Sequence, residues 1–348
     1  MSYEAIAALP LEIESYELDR LERPVSSEFT RVTTVVRLRG RGEEGLGEDV
    51  TYEAEHHEVQ QRAEPLPIAG RHTLDGFSNR LGELDLFPSG VDREVYRLYR
   101  RWAYESAALD LALRQAGISL ADALGRTPHP VTFVVSLRLG EPPSAEPVLR
   151  RLELYPNLRF KLDPTSSWTD KLVAELRATG AMDSFDFKGR YTGTIVDQPP
   201  DPELYERVVR TFPDAWLEDP ALTEETERVL VAHRDRVTWD EPIHSVADIE
   251  ALPFPPRMVN VKPSRFGSLR ALLGTYAYCE ERGIGIYGGG QFELGPGRGH
   301  IQYLASLFHP DTPNDVAPTG FHDRNPRPGL PTSPLEPAIA RVGFQWLS

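Results

Sequence analysis

Two different patterns of apolar and polar positions divide the chain near residue 128. In residues 11–51, apolar and polar positions alternate or Val and Thr are frequent, which is typical of β-strands. Apolar residues then recur at helical spacing over residues 92–116, and Gly117 is suited to end that helix. Residues 1–127 are therefore predicted to form one domain of strands and helices.

Beyond this domain, short apolar runs alternate with amphipathic stretches of helical spacing. Repeated strand–helix alternation indicates a parallel α/β architecture, and the number of units favours a closed (β/α) barrel over an open sheet. We assign residues 128–319 to this barrel. Residues 320–348 are rich in Pro and end in an apolar stretch, so we expect this C-terminal tail to pack back on the N-terminal domain. The predicted strands are 131–137, 158–162, 184–187, 215–218, 236–240, 257–262, 283–288 and 314–318.

The composition limits the class of protein and its partners. Apolar residues make up 40% of the chain and charged residues 26%, which excludes a disordered chain and a membrane bundle. A net charge of −15 and a pI of about 5.1 argue against a nucleic-acid partner, because such partners need a basic surface. Cys279 is the single cysteine, which excludes an intrachain disulfide and a cysteine-based zinc site. The N-terminus has no basic start and no long apolar core, so we expect a cytoplasmic protein without a membrane partner.

Three acidic residues stand at the ends of three consecutive predicted strands. Asp186, Glu218 and Asp240 are separated by about one strand–helix unit each, so a barrel would bring them to one mouth. Three carboxylates so close cannot all ionise without a counter-ion. A hard divalent cation with oxygen ligands resolves this repulsion, and Mg²⁺ suits such a site. The pattern therefore predicts a Mg²⁺ site.

Two lysines flank the acidic residues. Lys161 ends the strand before them and Lys262 ends the strand after them. A lysine beside a bound cation shifts toward its neutral form and becomes a usable general base. Any one of the three acidic residues could be a solvated loop residue or a helix cap, but all three in register with both lysines argue against that interpretation. Two bases on two sides could remove a proton from one face of a substrate and return it on the other.

Six motifs contain or follow the predicted strand ends: RFK at 159–161, DFKG at 186–189, LEDP at 217–220, WDEP at 239–242, VKPSRFGS at 261–268 and YGGGQFELGPGRG at 287–299. In these motifs the chain resembles the enolase superfamily, in the muconate-lactonizing subgroup of the mandelate racemase and muconate lactonizing group. The resemblance covers nearly the whole chain. It implies a modified (β/α)7β (TIM-like) barrel with an N-terminal α+β capping domain. It also implies that Mg²⁺ stabilises an enolate formed by removal of the proton α to a substrate carboxylate.

The resemblance assigns roles to individual residues. It makes the three carboxylates the metal ligands and the two lysines the acid/base pair. Glu293 matches a carboxylate that lies near the substrate in many members. Residues 20–32 and 49–58 match the segments that close over the substrate and select it. His56 and His57 lie in the second of these segments, so we expect them to contact the substrate.

Two residues depart from the family pattern. Arg159 stands where the family usually has Lys, and Lys188 stands where it usually has Asn. We expect Arg159 to lower the pKa of Lys161, and both cations to face the substrate. Strand seven carries Tyr287 and no His, which argues against a typical acid-sugar dehydratase. The Asp-x-Asp of dipeptide epimerases is absent from strand eight, which argues against that activity.

The sequence leaves several reactions of a small-molecule carboxylate open. Proton abstraction could lead to racemisation or epimerisation, or to cycloisomerisation. It could instead lead to β-elimination, as in a dehydratase or in o-succinylbenzoate synthesis. A third interpretation is a catalytically silent relative that still binds metal, because Arg159 and Lys188 break the common pattern. We also expect a symmetric homo-oligomer.

Overall fold

The computed structural model describes residues 3–25, 29–191, 193 and 196–347. Among these residues, no helix is both long and apolar enough to cross a membrane. In chain order the N-terminal domain contains α1 (Glu4–Ala7), β1 (Pro10–Ile13), β2 (Ser15–Pro24), β3 (Thr30–Gly40), β4 (Glu43–Asp49), α2 (Ala54–Arg62), β5 (Gly70–Thr73), α3 (Leu74–Gly82), α4 (Val95–Ala116) and α5 (Leu120–Leu124).

A three-stranded antiparallel sheet packed on a long helix forms the centre of the N-terminal domain. The sheet has the order β2-β3-β4, and α4 lies against β4. The contact is very close, because a Cβ on Gly47 would lie 1.9 Å from the carbonyl oxygen of Ala103. Gly117 ends α4 in the left-handed conformation, with φ of 70°, as its position in the sequence predicted.

The second domain is built from parallel strands with helices between them. Its elements are β6 (Val135–Leu137), α6 (Glu146–Leu154), β7 (Phe160–Leu162), α7 (Asp170–Thr179), β8 (Met182–Asp186), α8 (Pro202–Thr211), β9 (Trp216–Glu218), α9 (Glu224–Leu230), β10 (Val237–Thr238), α10 (Val246–Glu250), β11 (Met258–Val261), α11 (Pro263–Phe266), α12 (Leu269–Arg282), β12 (Gly285–Gly288) and α13 (Pro296–Phe308). Two short 3₁₀ helices, Val231–Arg236 and Thr319–His322, follow α9 and α13 in the chain.

These strands close into a barrel. Strands β6 to β10 pair in sequence order, and β11 pairs with β12. Single parallel bridges join Trp239 to Val259 and Gly289 to Asp315, and Asn314 bridges back to Phe133. Residues 314–315 thus occupy the place of the last strand, between β12 and the segment that leads into β6. The predicted barrel with an N-terminal α+β domain is confirmed.

The C-terminal tail contacts both domains. Phe344 stacks on the ring of His300 in α13, with ring centroids 4.2 Å apart. The backbone N–H of Phe344 donates to Asp110 of α4 at 2.7 Å. Gly343 exchanges backbone hydrogen bonds with the residues on either side of Ser119. The tail therefore joins the long helix of the first domain to the last helix of the barrel, and the exact domain boundaries stay a prediction.

Candidate active site

The three predicted acidic residues meet at one mouth of the barrel. Asp186 and Glu218 are the last residues of β8 and β9 and lie side by side in the parallel register. Asp240 follows β10 by two residues. All three side chains are buried, and one oxygen from each lies within 4.8 Å of the others. Within the described part of the chain, this is the one group of His, Cys, Asp or Glu side chains close enough to hold a metal ion.

A fourth carboxylate fixes the backbone beneath this cluster. Asp219 accepts hydrogen bonds from the backbone N–H groups of Asp240 at 2.9 Å and Glu241 at 2.8 Å. Its own backbone has a φ of 45°, which is uncommon for a residue other than glycine. Burial and the neighbouring Asp240 and Asp186 raise the pKa of Asp219 to about 7. Asp219 therefore holds the end of β10 in place from the end of β9.

The two predicted lysines contact different members of the cluster. The ammonium group of Lys161 donates to Glu218 and lies 3.4 Å from Asp186. The ammonium group of Lys262 donates to Asp240 at 2.8 Å. Both lysines are almost completely buried. The carboxylate cluster thus lies between the two amines.

The surroundings of the two lysines shift their pKa values in opposite directions. Burial lowers the pKa of Lys161, but Glu218 and Asp186 raise it more, so its net pKa is well above the usual 10.5. Burial lowers the pKa of Lys262 below 10.5, and the nearby Arg265 adds to this effect against the opposing charge of Asp240. One lysine is therefore biased toward its charged form and the other toward its neutral form.

Two further cations contact the cluster. Lys188 has a φ of 55°, and its ammonium group donates to Asp186 and lies 4.0 Å from Asp163. Arg265 donates to Asp240 at 2.8 Å. The structure therefore brings Lys188 to the site predicted for it. Four cationic side chains, Lys161, Lys188, Lys262 and Arg265, therefore contact the three carboxylates of the triad.

Tyrosine hydroxyls complete the contacts of the acidic residues. Tyr287, the third residue of β12, donates to Glu218, and its hydroxyl lies 2.7 Å from that of Thr238. Tyr191 donates to Asp240 at 3.0 Å. The sequence analysis predicted neither tyrosine as a partner of the carboxylates. It noted only that strand seven carries Tyr287 and no His, and this position near a strand end was the signal that could have pointed to Tyr287.

The chemistry of these donors fits a hard divalent cation. Mg²⁺ and Ca²⁺ take oxygen ligands, and three buried carboxylates from adjacent strands supply them. Hydrogen bonds from the two tyrosines and from lysines hold the carboxylates in place, as is usual for residues around a metal ligand. The acidic triad is therefore the place at which we expect a metal ion.

Other predicted site residues lie farther from the triad. Arg159 donates to Asp183 at 2.7 Å and to backbone carbonyls, and its side chain is 41% exposed. None of its described partners belongs to the triad, so the structure does not bring Arg159 to the cluster. Glu293 is buried and accepts from the backbone N–H of Gln291 at 2.6 Å. It also lies 3.4 Å from Arg298.

The two histidines expected to contact substrate are held within the N-terminal domain. The ring of His56 is 2.7 Å from Asp92. His57 is fully buried, with one ring nitrogen 2.8 Å from the hydroxyl of Thr34 and the other 2.9 Å from the carbonyl of Thr51. Neither ring lines the cavity beside the triad. The other predicted closing segment, 20–32, includes residues 26–28, which lie outside the described part of the chain.

A cavity of about 350 Å³ opens beside the triad, between the barrel mouth and the N-terminal domain. It connects to the cluster through two of its acidic wall residues, Asp163 near Lys188 and Asp315 at 3.9 Å from Lys161. Val25 and Phe29 from the first predicted closing segment form part of its wall. The charged and aromatic wall residues include Tyr52, Arg138, Asp163, Arg298, Asp315 and His322.

Two buried charged residues of the N-terminal domain hold the barrel segment that follows β12. Arg31 of β3 donates to the backbone carbonyls of residues 291–292 at 2.9 and 3.2 Å. Glu48 of β4 accepts from backbone N–H groups within residues 294–297 at 2.6–3.0 Å. These hydrogen bonds are buried, so they fix the position of the segment that carries Glu293.

Comparison with known families gives matches over both domains. A model described as the C-terminal domain of a domain of unknown function, DUF8230, matches residues 127–323. The corresponding N-terminal model matches residues 4–123.

Among curated proteins, the chain is similar to named enzymes. It is 27% identical over 337 residues to an N-succinylamino acid racemase of Thermus thermophilus, covering 88% of this chain and 86% of the relative. It is 26% identical over 230 residues to an o-succinylbenzoate synthase of Geobacillus stearothermophilus, covering 63% of this chain and 59% of the relative.

Solved structures share the fold at low sequence identity. A dipeptide epimerase from Methylococcus capsulatus, complexed with Mg ion, has a TM-score of 0.68 at 20% identity and covers 87% of this chain and 89% of its own. A muconate cycloisomerase from Pseudomonas fluorescens has a TM-score of 0.62 at 20% identity, and the match covers 88% of this chain and 87% of the cycloisomerase. A protein from Enterococcus faecalis described as an unknown member of the enolase superfamily has a TM-score of 0.63 at 20% identity. The match covers 88% of this chain and 86% of that protein. The predicted resemblance to the enolase superfamily and the prediction of an enzyme are confirmed.

Proposed function

The chain belongs to the DUF8230 family, and we propose that it is a Mg²⁺-dependent enzyme that removes the proton α to a carboxylate and returns it on the other face. The reaction would be a racemisation or epimerisation of a small-molecule carboxylate. The observation that carries this proposal is the placement of Lys161 and Lys262 at different ends of one buried carboxylate cluster. A cytoplasmic location and a homo-oligomeric state remain predictions.

The acidic triad would hold the metal. When bound there, Mg²⁺ supplies positive charge that stabilises a substrate carboxylate as its α-proton leaves. The chain itself supplies rigidity, since Asp219, Tyr287 and Tyr191 hold the ligand carboxylates or their backbone. Buried ligands with fixed orientation need little rearrangement during reaction.

The two lysines would act as a pair. A reaction that moves a proton from one face to the other needs a base on one side and an acid on the other. The pKa of Lys262 is lowered by burial and that of Lys161 is raised by its carboxylate partners. One lysine would act as the base and the other as the acid for one enantiomer, with exchanged roles for the other enantiomer.

A second candidate function is β-elimination after the same first step. The curated relatives named o-succinylbenzoate synthase favour it. In that reaction the substrate loses a leaving group from the β-carbon and takes back no proton at the α-carbon. Both candidates require removal of the α-proton, so they differ in the product.

Proton NMR in D₂O with Mg²⁺ tests the proposal. The substrates are N-acyl amino acids, dipeptides, sugar acids, muconate-type lactones and the o-succinylbenzoate precursor. Exchange of an α-proton with no product other than the stereoisomer of the substrate supports racemisation or epimerisation, whereas loss of a leaving group with a new carbon–carbon double bond supports elimination. A protein that binds Mg²⁺ but exchanges no α-proton in this set is the silent relative, and that result contradicts the proposal.

A further inference from the structure

Arg298 presents a guanidinium group with few partners to the cavity beside the triad. Its side chain is only 14% exposed, and it forms part of the cavity wall. Its Nε atom is buried and has no hydrogen-bond partner among the described residues. Its one described ion pair, with Glu293, spans 3.4 Å, which is long for a charge-assisted hydrogen bond. An arginine carries five N–H donors, and leaving a buried donor unpaired is unfavourable.

The other charges around the cavity are already committed to neighbours. Asp163 accepts from Arg138 at 2.9 Å and lies near Lys188. Asp315 lies 3.9 Å from Lys161. The acidic wall residues therefore balance cations on the side of the triad, and Arg298 stands apart from them.

The position of Arg298 is fixed by its backbone. It is the third residue of α13, and Glu48 accepts from the N–H of the preceding residue, Gly297, at 2.9 Å. His322 lines the same cavity. Burial and the charge of Arg298 lower the pKa of His322 to about 4, so its ring is neutral at pH 7. A neutral ring can add a hydrogen bond to a ligand without adding charge.

We infer that Arg298 binds a second anionic group of the substrate, a carboxylate distinct from the one whose α-proton is removed. The inference rests on the proposed function and names its substrate class as acids that carry two carboxylates. The planar guanidinium suits a carboxylate because it can donate two parallel hydrogen bonds to it. A cavity of about 350 Å³ lies at the small end of ligand pockets, which favours a short spacer between the two carboxylates.

Matched substrates and variants test this inference. The substrates are N-succinylalanine, which has a distal carboxylate, and N-butyrylalanine, which lacks it. Wild-type protein should exchange the α-proton of N-succinylalanine with the lower KM. Arg298→Met should raise that KM by about 10- to 100-fold, with kcat little changed and with no effect on N-butyrylalanine. Arg298→Lys should retain part of the preference, since it keeps the charge.

Arg126 provides the control. Its side chain is 19% exposed, similar to that of Arg298, and it pairs with Glu280 and lies over Phe308, outside the cavity. Arg126→Met should leave the preference for N-succinylalanine intact. Equal KM values for the two substrates in wild type, or an equal loss on both substrates in Arg298→Met, would overturn the inference.

A binding measurement separates this inference from the proposed function. Glutarate, a dicarboxylate, and butyrate, its monocarboxylate counterpart, are titrated calorimetrically into Mg²⁺-loaded wild type and Arg298→Met. Tighter binding of glutarate that is lost in Arg298→Met supports the anion site even if no substrate exchanges its proton. Equal binding of glutarate to both proteins contradicts the site, whatever the result of the exchange experiment.

Discussion

The hydroxyl of Tyr287 donates a hydrogen bond to the carboxylate of Glu218, although the two residues are 69 positions apart. The same hydroxyl lies 2.7 Å from that of Thr238, so it has a fixed position between β9 and β10. The hydrogen bond occupies one oxygen of Glu218 and leaves the other beside Lys161. Tyr287 therefore orients a carboxylate of the acidic triad from across the barrel.

Removing this hydroxyl should weaken metal binding. We expect Tyr287→Phe to lower Mg²⁺ affinity by about 10- to 100-fold, because partners that orient a ligand contribute this much in known sites. Calorimetric titration with Mg²⁺ measures it. Tyr276→Phe is the control, since Tyr276 is buried and its hydroxyl has no hydrogen-bond partner among the described residues. Equal Mg²⁺ affinity in Tyr287→Phe and wild type would show that the hydroxyl does not orient Glu218.

Metal binding should depend on each acidic residue of the triad. We expect Asp240→Asn or Glu218→Gln to abolish Mg²⁺ binding and α-proton exchange, because each replaces one of the three carboxyl groups that would bind the ion by a neutral amide. A chelator should abolish exchange in wild type, and added Mg²⁺ should restore it. Glu241→Gln, next to the triad but outside it, is the control. Exchange that persists in the presence of a chelator would contradict a metal-dependent reaction.

Glu48 should make the contact between the two domains weaker at high pH. Burial and the nearby Glu293 raise the pKa of Glu48 above the usual 4.5. The folded protein then binds more protons than the unfolded chain above pH 4.5, so the stability contribution of Glu48 falls as the pH rises through its folded pKa. Glu48→Gln carries no such charge. Urea unfolding at pH 5 and pH 8 measures the free energy of unfolding. Between these two pH values, wild type should lose more of this free energy than Glu48→Gln.

A second variant tests the hydrogen bonds of Glu48 rather than its charge. Glu48→Ala should cost about 1–3 kcal/mol, because buried N–H groups at residues 294–297 lose their acceptor. Glu44→Ala, a half-exposed residue on the same strand, is the control. If wild type and Glu48→Gln show the same pH dependence, the raised pKa of Glu48 is wrong.

His300 should make the attachment of the C-terminal tail sensitive to acid. Burial against Phe344 lowers the pKa of His300 to about 3, so the folded protein holds it neutral while the unfolded chain protonates it near pH 6.5. Stability is lost as the pH falls from 6.5 toward 3, by up to about 1.4 kcal/mol per pH unit. His300→Phe should keep the stacking and remove this loss. Urea unfolding at pH 7 and pH 5 measures the stability that each protein loses on acidification. His129→Gln, at an exposed histidine, is the control and should lose as much as wild type. If His300→Phe loses as much stability as His129→Gln, the prediction is contradicted.

The sequence predicted the triad and the lysines because strand ends in a barrel share one mouth. Spacing of about one strand–helix unit was enough to place Asp186, Glu218 and Asp240 together. The cross-barrel contacts of Tyr287 were not predictable, since no local pattern marks a hydrogen bond between residues 69 positions apart. Arg31 lies in β3 and Glu48 in β4, and no local pattern in the sequence marked their contacts with residues 291–297 of the barrel.

Arg159 shows where the family pattern is a poor guide to side-chain placement. The resemblance placed Arg159 near Lys161, because Arg159 stands where the family usually has Lys. In the structure β7 begins at Phe160, and the side chain of Arg159 is 41% exposed. Its guanidinium instead pairs with Asp183 on the neighbouring strand. The roles of Arg159, His56 and His57 toward a substrate stay predictions.

In the proposed reaction, one lysine serves each face of the substrate. This division is tested most directly by following α-proton exchange in D₂O separately for the two enantiomers of an N-acyl amino acid, with Lys161→Ala and Lys262→Ala. We predict that each variant loses racemisation by at least about 100-fold. We also predict that each variant still exchanges the α-proton of one enantiomer, and that this enantiomer is different for the two variants. If either variant still racemises at the wild-type rate, or if both variants exchange the same enantiomer, the division of roles between the two lysines is contradicted.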